Sequence, residues 1–130
     1  MFGDVLIAGQ YEVSVDHKNR FCVPAQTKRE NGETLLIVYD KDLDAYCVYS
    51  EDKIKEKFDK INDLILSAKN SDEALDYKIK LLELSRSIVN TASVDCQGRI
   101  YLGKTLTFDK PINLLGAGDH LIITNKARRK

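Results

Sequence analysis

Hydrophobic and polar positions alternate near the start of the chain. Tyr11, Val13 and Val15 are separated by Glu12 and Ser14, the period-2 pattern of a strand with one buried face. Asp16-His17-Lys18-Asn19 interrupts the alternation and Phe21 and Val23 resume it, which predicts a β-hairpin. The interrupting residues suit a turn, since Asp accepts turn amides and Asn tolerates positive φ. PAQTKRENG then predicts one short helix, with Pro24 near its first position and Gly32 just past its end. Leu35 to Tyr39 and Tyr46 to Tyr49 are short apolar runs of strand type, separated by the polar turn DKDLDA.

The pattern changes at Ser50, a candidate N-cap. Ile54, Phe58, Ile61, Ile65 and Ala68 recur at helical spacing behind it. AKNSD breaks this helix and supplies Ser71 as a second candidate cap. Leu75, Ile79, Leu82 and Val89 mark another helix to about Asn90, with Leu81, Leu84 and Ile88 widening its apolar face. Two antiparallel helices joined by a short turn follow. Ile112 to Leu115 and Leu121 to Thr124 then form a second pair of strand-like runs around GAGD.

The chain also repeats itself. SVDHKNRF at 14–21 reappears seventy-nine positions later as SVDCQGRI at 93–100. Gly98 stands where Asn19 stands in the first copy, and both residues take positive φ cheaply. A strand-turn-strand follows each copy, with GKTLTFDKP in the place of the first short helix. The chain therefore divides into a unit at 8–50, a helical pair at 51–90, a unit at 91–125 and a basic tail at 126–130, integrated as one α+β domain.

Composition narrows the function. No apolar run approaches the ~20 residues of a bilayer span, and VLIAG is too short for a secretory signal, so cytoplasmic residence is expected. Lysine and arginine balance aspartate and glutamate at 20 each, which argues against a general polyanion binder. The charges are segregated, however: Lys18, Arg20, Lys28 and Arg29 fall in a stretch with no acid, and the tail KARRK is basic. Cys22, Cys47 and Cys96 are odd in number with no C-x-x-C, so neither a disulfide framework nor a zinc site is expected. Cys22 and Cys47 lie in alternating apolar runs and read as small buried or half-buried hydrophobes.

The two motifs, Asp16…Arg20 and Asp95…Arg99, resemble those of the AbrB-like (SpoVT-AbrB) swapped-hairpin transcription regulators, and specifically of the MraZ family. That family carries two D-x-x-x-R units in one chain, separated by helices, and the resemblance covers nearly the whole sequence. DCQGR is close to the family's D-x-Q-G-R, while DHKNR keeps the lysine of D-x-K-G-R with Asn19 for the glycine. Val23-Pro24 keeps an apolar-x-Pro that Leu102-Gly103 lacks, and Thr124-Asn125-Lys126 stands where the family usually has an aromatic. The resemblance implies two pseudo-symmetric units forming a small β-barrel-like core with an inserted helical pair. It further implies a nucleoid-associated regulator that binds repeated promoter boxes, often its own, among division and cell-wall genes. Ring-like homo-oligomers larger than a dimer are implied as well.

The residues suit that role. A two-stranded ribbon fits the major groove, where cationic or amide side chains reach phosphates and base edges. Arg20 and Arg99 share parity with Cys22 and Tyr101, opposite Phe21, Val23, Ile100 and Leu102, so both should point away from the core. Lys18 and Gln97 occupy equivalent turn positions, and Lys28 and Arg29 add positive charge nearby. Asp16, Asn19, Asp95 and Gly98 are expected to shape the turns. Each Asp either holds its Arg across the turn or leaves it free; the arrangements are compatible, because an exposed pair is worth under ~1 kcal/mol.

Three other readings compete. A small AbrB-like regulator or antitoxin could act mainly through a protein partner on the helices, and the helical pair itself fits either core cover or subunit contact. A purely structural or interaction protein is the second. An enzyme is not expected: His17 and His120 each sit in a turn beside an acidic residue, and no phosphate-binding or calcium-loop signature is complete. No catalytic residue, metal, cofactor, small-molecule substrate or membrane is expected.

Overall fold

The computed structural model describes residues 1–129, with side chains described through Ala127. It is α+β. The elements are β1 (Gln10–Val13), β2 (Arg20–Cys22), β3 (Thr34–Asp40), β4 (Ala45–Ser50), α1 (Glu51–Leu66) and α2 (Ser71–Ser87), then β5 (Ile88–Ser93), β6 (Arg99–Tyr101), β7 (Leu106–Phe108), β8 (Ile112–Gly116), β9 (Leu121–Ile123) and β10 (Ala127–Arg129). No helix among the described residues is long and apolar enough to cross a membrane.

Six strands form one antiparallel sheet in the order β1-β8-β9-β4-β3-β5. Taken in order around the two motifs, β1 corresponds to β5, β3 to β8 and β4 to β9, so the strand order reads the same from either edge. Each half sends its leading strand to the other half: β1 pairs with β8, and β5 with β3. The returning strands β2 and β6 also cross over, pairing with each other as a separate ribbon.

This exchange corrects two expectations. The sheet is open, with β1 and β5 at its edges, where a small barrel was anticipated. The strands that would have extended it, β2 and β6, satisfy each other's hydrogen bonds instead. The self-contained hairpins also shrink to their tips. Val15 bridges Phe21, and the Asp16 amide donates to the Arg20 carbonyl at 2.9 Å, but β1 and β2 then part to different partners.

The local expectations fare unevenly. Ser50 does cap α1, its hydroxyl accepting the Lys53 amide at 3.2 Å. The second cap is Asn70 rather than Ser71, accepting the Glu73 amide at 2.8 Å. α2 ends at Ser87 rather than near Asn90, because Ile88 onward leaves the helix to complete the edge beside β3. The short helix after Pro24 is only a 3-10 turn, Ala25–Thr27, stopped by Lys28 at φ 63°. Its counterpart is strand β7, which pairs with β10, so residues assigned to a basic tail belong to a ladder. β-branched Thr107 within it and Thr105 just ahead of it favour that strand. Lys130, the end of that tail, lies outside the described residues.

The sheet is covered on both faces. Leu35, Ile37, Tyr46 and Val48 pack with Phe21, Val23, Ile100 and Leu102 in the main core. Leu36, Val38, Cys47 and Tyr49, the alternate residues of the same strands, pack with Ile54 and Phe58 of α1. Two buried faces explain why these strands read as unbroken apolar runs. α2 contributes much less: Leu75, Ile79 and Leu82, expected as its inward stripe, are 55%, 47% and 55% exposed. Tyr77, Leu81 and Leu84, on a parallel helical stripe, are half-buried instead.

Candidate nucleic-acid interface

The β2–β6 ribbon aligns Arg20 with Tyr101, Phe21 with Ile100 and Cys22 with Arg99. Phe21 and Ile100 are 1% and 0% exposed in the main core. Strand alternation therefore places Arg20, Cys22, Arg99 and Tyr101 together on the outer face. The arginines come from different halves and sit diagonally across the ribbon. Cys22, expected among buried or half-buried hydrophobes, is exposed here; its parity with Arg20 decides its side.

Each arginine is anchored by its own loop in the same way. Asp16 Oδ1 accepts the Lys18 and Arg20 amides at 3.0 and 2.9 Å, while Oδ2 accepts Arg20 Nε at 2.8 Å. Asp95 Oδ1 accepts the Gln97 and Arg99 amides at 2.9 and 2.8 Å, and Oδ2 accepts Arg99 Nε at 2.8 Å. Arg99 Nη1 also lies 3.8 Å from Asp16 Oδ2, so one carboxylate touches guanidinium groups from both halves. The two tips thus converge into one continuous patch. Both arginine side chains are 25% exposed, held in orientation without being interred.

The turns reach the same backbone shape by different means. Asn19 has φ 60° and donates through Nδ2 to the Gly103 and Leu106 carbonyls, both at 2.8 Å. These bonds anchor an otherwise unfavourable conformation and tie the first loop to the second half. Gly98 has φ 79°, and a Cβ added there would run into the guanidinium group of Arg29. Arg29 thus covers the second turn and donates Nε to the Val23 carbonyl at 2.5 Å. Of the cations expected at the site, Lys18 and Lys28 are exposed and Arg29 is half-buried as a packing element. Gln97 is exposed beside Arg99's loop.

Electrostatics favour the anchored form. Burial pushes the Asp16 carboxyl up, but the Arg20 amide and guanidinium and the Lys18 amide outweigh it and hold the group below the ordinary aspartate value. The Arg99 amide is the largest influence on Asp95, followed by opposing burial and the Arg99 side chain, with the same net direction. The Asp95 hydrogen bond in turn raises Arg99. A lowered folded value means the stabilisation is fully present above the unfolded aspartate pKa and is lost as pH falls through the folded one. Asp16→Asn and Asp95→Asn should therefore lower the melting temperature at pH 7, and the gap to the parent should close at strongly acidic pH. A gap independent of pH would contradict charge as its cause.

Sequence reasoning did not single out Lys104 and Lys110, which line a groove beside the first loop with Lys18 and Tyr101. Their place in the repeat was readable, but a helical reading of GKTLTFDKP could not bring them to that loop. His120, read as a turn residue, stacks on Tyr49 with ring centroids 4.2 Å apart, and its Nδ1 lies 2.7 Å from Asp119 Oδ1.

Two interleaved halves presenting matched Asp-x-x-x-Arg loops on one exposed ribbon define a repeat-built α+β protein. No family model matches the chain. "Transcriptional regulator MraZ" of Mycoplasma mobile is 31% identical over 129 aligned residues, covering 92% of this chain and 80% of that protein. The chain belongs to the MraZ family of transcriptional regulators.

Proposed function

We propose that the protein regulates transcription by binding promoter DNA sequence-specifically through the Arg20–Arg99 ribbon. One observation carries this reading: guanidinium groups from both halves meet on a single exposed face, each oriented by a carboxylate of its own loop. Arg forks suit guanine O6 and N7 or a phosphate, and a two-stranded ribbon has the width of a major-groove reader. The exchange of leading strands between halves supports a swapped-hairpin unit. The relative's name, a transcriptional regulator, supports the same class.

Family resemblance supplies the rest of the proposal: a cytoplasmic, nucleoid-associated ring-like homo-oligomer acting on repeated boxes near division and cell-wall genes, with no catalysis or cofactor. A neutral chain with one small cationic patch needs several linked copies to bind tightly, because later engagements become intramolecular. Selection of bound fragments from random DNA should enrich a short box in repeated copies, and sedimentation at low micromolar concentration should show an assembly larger than a dimer. Absence of any enriched sequence would reject specific binding, and a monomer would reject the ring.

The second reading, a regulator or antitoxin acting mainly through a protein partner, draws on the exposed Leu75, Ile79 and Leu82 of α2. It predicts a copurifying protein lost on Ile79→Asp, with no enriched DNA sequence.

A further inference from the structure

The two ends of the ribbon match in backbone and differ in charge. A groove of about 410 Å³ beside the first loop is walled by residues of both halves. Lys18, Lys104 and Lys110 line it, all exposed, and none forms an ion pair or side-chain hydrogen bond among the described residues. His17 lines it too. Its one lining carboxylate, Asp16, is already engaged with Arg20 and Arg99. The equivalent loop positions at the other end are uncharged, with Gln97 for Lys18, Cys96 for His17 and Ala25 for Lys104, and by the strand register Lys110, two residues ahead of β8, corresponds to the acidic Glu33 ahead of β3. Lys28 is the exposed cation there, since Arg29 is bonded to Val23 and packed on Gly98.

We propose that this groove is a phosphate site for the backbone of duplex DNA, with Lys104 and Lys110 as contact residues alongside Lys18. The inference rests on the DNA-binding reading and adds a site to it. Lysine ammonium groups are compact charges on flexible stems, suited to tracking phosphates rather than reading bases. Three that lack an acidic partner need break no internal pair to engage a strand. Tyr101, the ribbon partner of Arg20, also lines the groove, which places the backbone contact beside the ribbon.

Salt dependence of binding to one fixed duplex tests the site in three proteins: the parent, Lys104→Ala/Lys110→Ala and Arg20→Ala/Arg99→Ala. Each phosphate contact contributes about 0.9 to the slope of log affinity against log salt. The lysine variant should bind at least about tenfold more weakly at low salt, with its slope reduced by about 1.8 and equally so on unrelated sequences. Lys104→Arg/Lys110→Arg should restore the slope, and melting temperatures should match the parent throughout. An unchanged slope in the lysine variant, with a parent that binds and an arginine variant that does not, overturns the groove and leaves the ribbon reading standing. A reduced slope with unimpaired binding by the arginine variant supports the groove and removes the ribbon. A parent that fails to bind duplex DNA overturns both.

Discussion

Arg20→Ala/Arg99→Ala should lose at least about thirtyfold in affinity for a promoter fragment while melting close to the parent. Each arginine placed on a base edge or phosphate is worth about 1–3 kcal/mol, so the pair together is worth roughly 2–6. The losses of the single variants should not sum to that of the double, because Asp16 lies beside both guanidinium groups. Folding should hardly change. Asp16 and Asp95 still accept their loop amides through Oδ1 when the arginine side chains are gone, so the turns keep their geometry. The lost ion pairs are partly exposed, and surface substitutions of this kind stay within ~0.5 kcal/mol. Fluorescence anisotropy at fixed salt, paired with a thermal melt, separates the two effects. Unchanged affinity in a folded double variant would end the assignment of this face to DNA.

Phe21→Ala should produce the largest loss of stability, about 3–5 kcal/mol, which corresponds to a fall of roughly 10–20 °C in melting temperature. Phe21 is 1% exposed, bridges Val15 and opposes Ile100 in the ribbon. Truncating it leaves a cavity at the point where the exchanged halves meet. Cys22→Ala, one residue further on the outer face, should stay within ~0.5 kcal/mol of the parent, which makes the pair a test of alternation as well as of packing. Urea and thermal denaturation read both. A Phe21→Ala protein melting within two or three degrees of the parent would mean that the two faces of β2 have been assigned the wrong way round.

These contrasts show which features can be read from residues alone. The period-2 pattern placed Phe21, Val23, Ile100 and Leu102 inside, and the structure buries all four. The shared Asp-x-x-x-Arg spelling anticipated two turns of one shape, down to positive φ at Asn19 and Gly98. Ser50 announced its helix correctly because capping is local chemistry. Partner choice was not legible in this way. Tyr11 and Val13 alternate just as they would beside Phe21, yet their ladder runs to β8, an assignment decided by the other half of the chain. Leu75, Ile79 and Leu82 have the spacing of a buried stripe, but α2 packs mainly on α1 and its half-buried residues lie on the neighbouring stripe. Lys104 and Lys110 reach the first loop only because the halves interlock.

The interlocking also sets the order in which the molecule can be completed. During synthesis the leading strand, Gln10–Val13, leaves the ribosome about a hundred residues before its partner, Ile112–Gly116. At ~5–20 residues per second that is a wait of roughly 5–20 s, with one edge of the future sheet still unsatisfied. Such distant pairing makes for slow closure, and a chain cut between the helices would leave two fragments, each missing the strand that seals its neighbour.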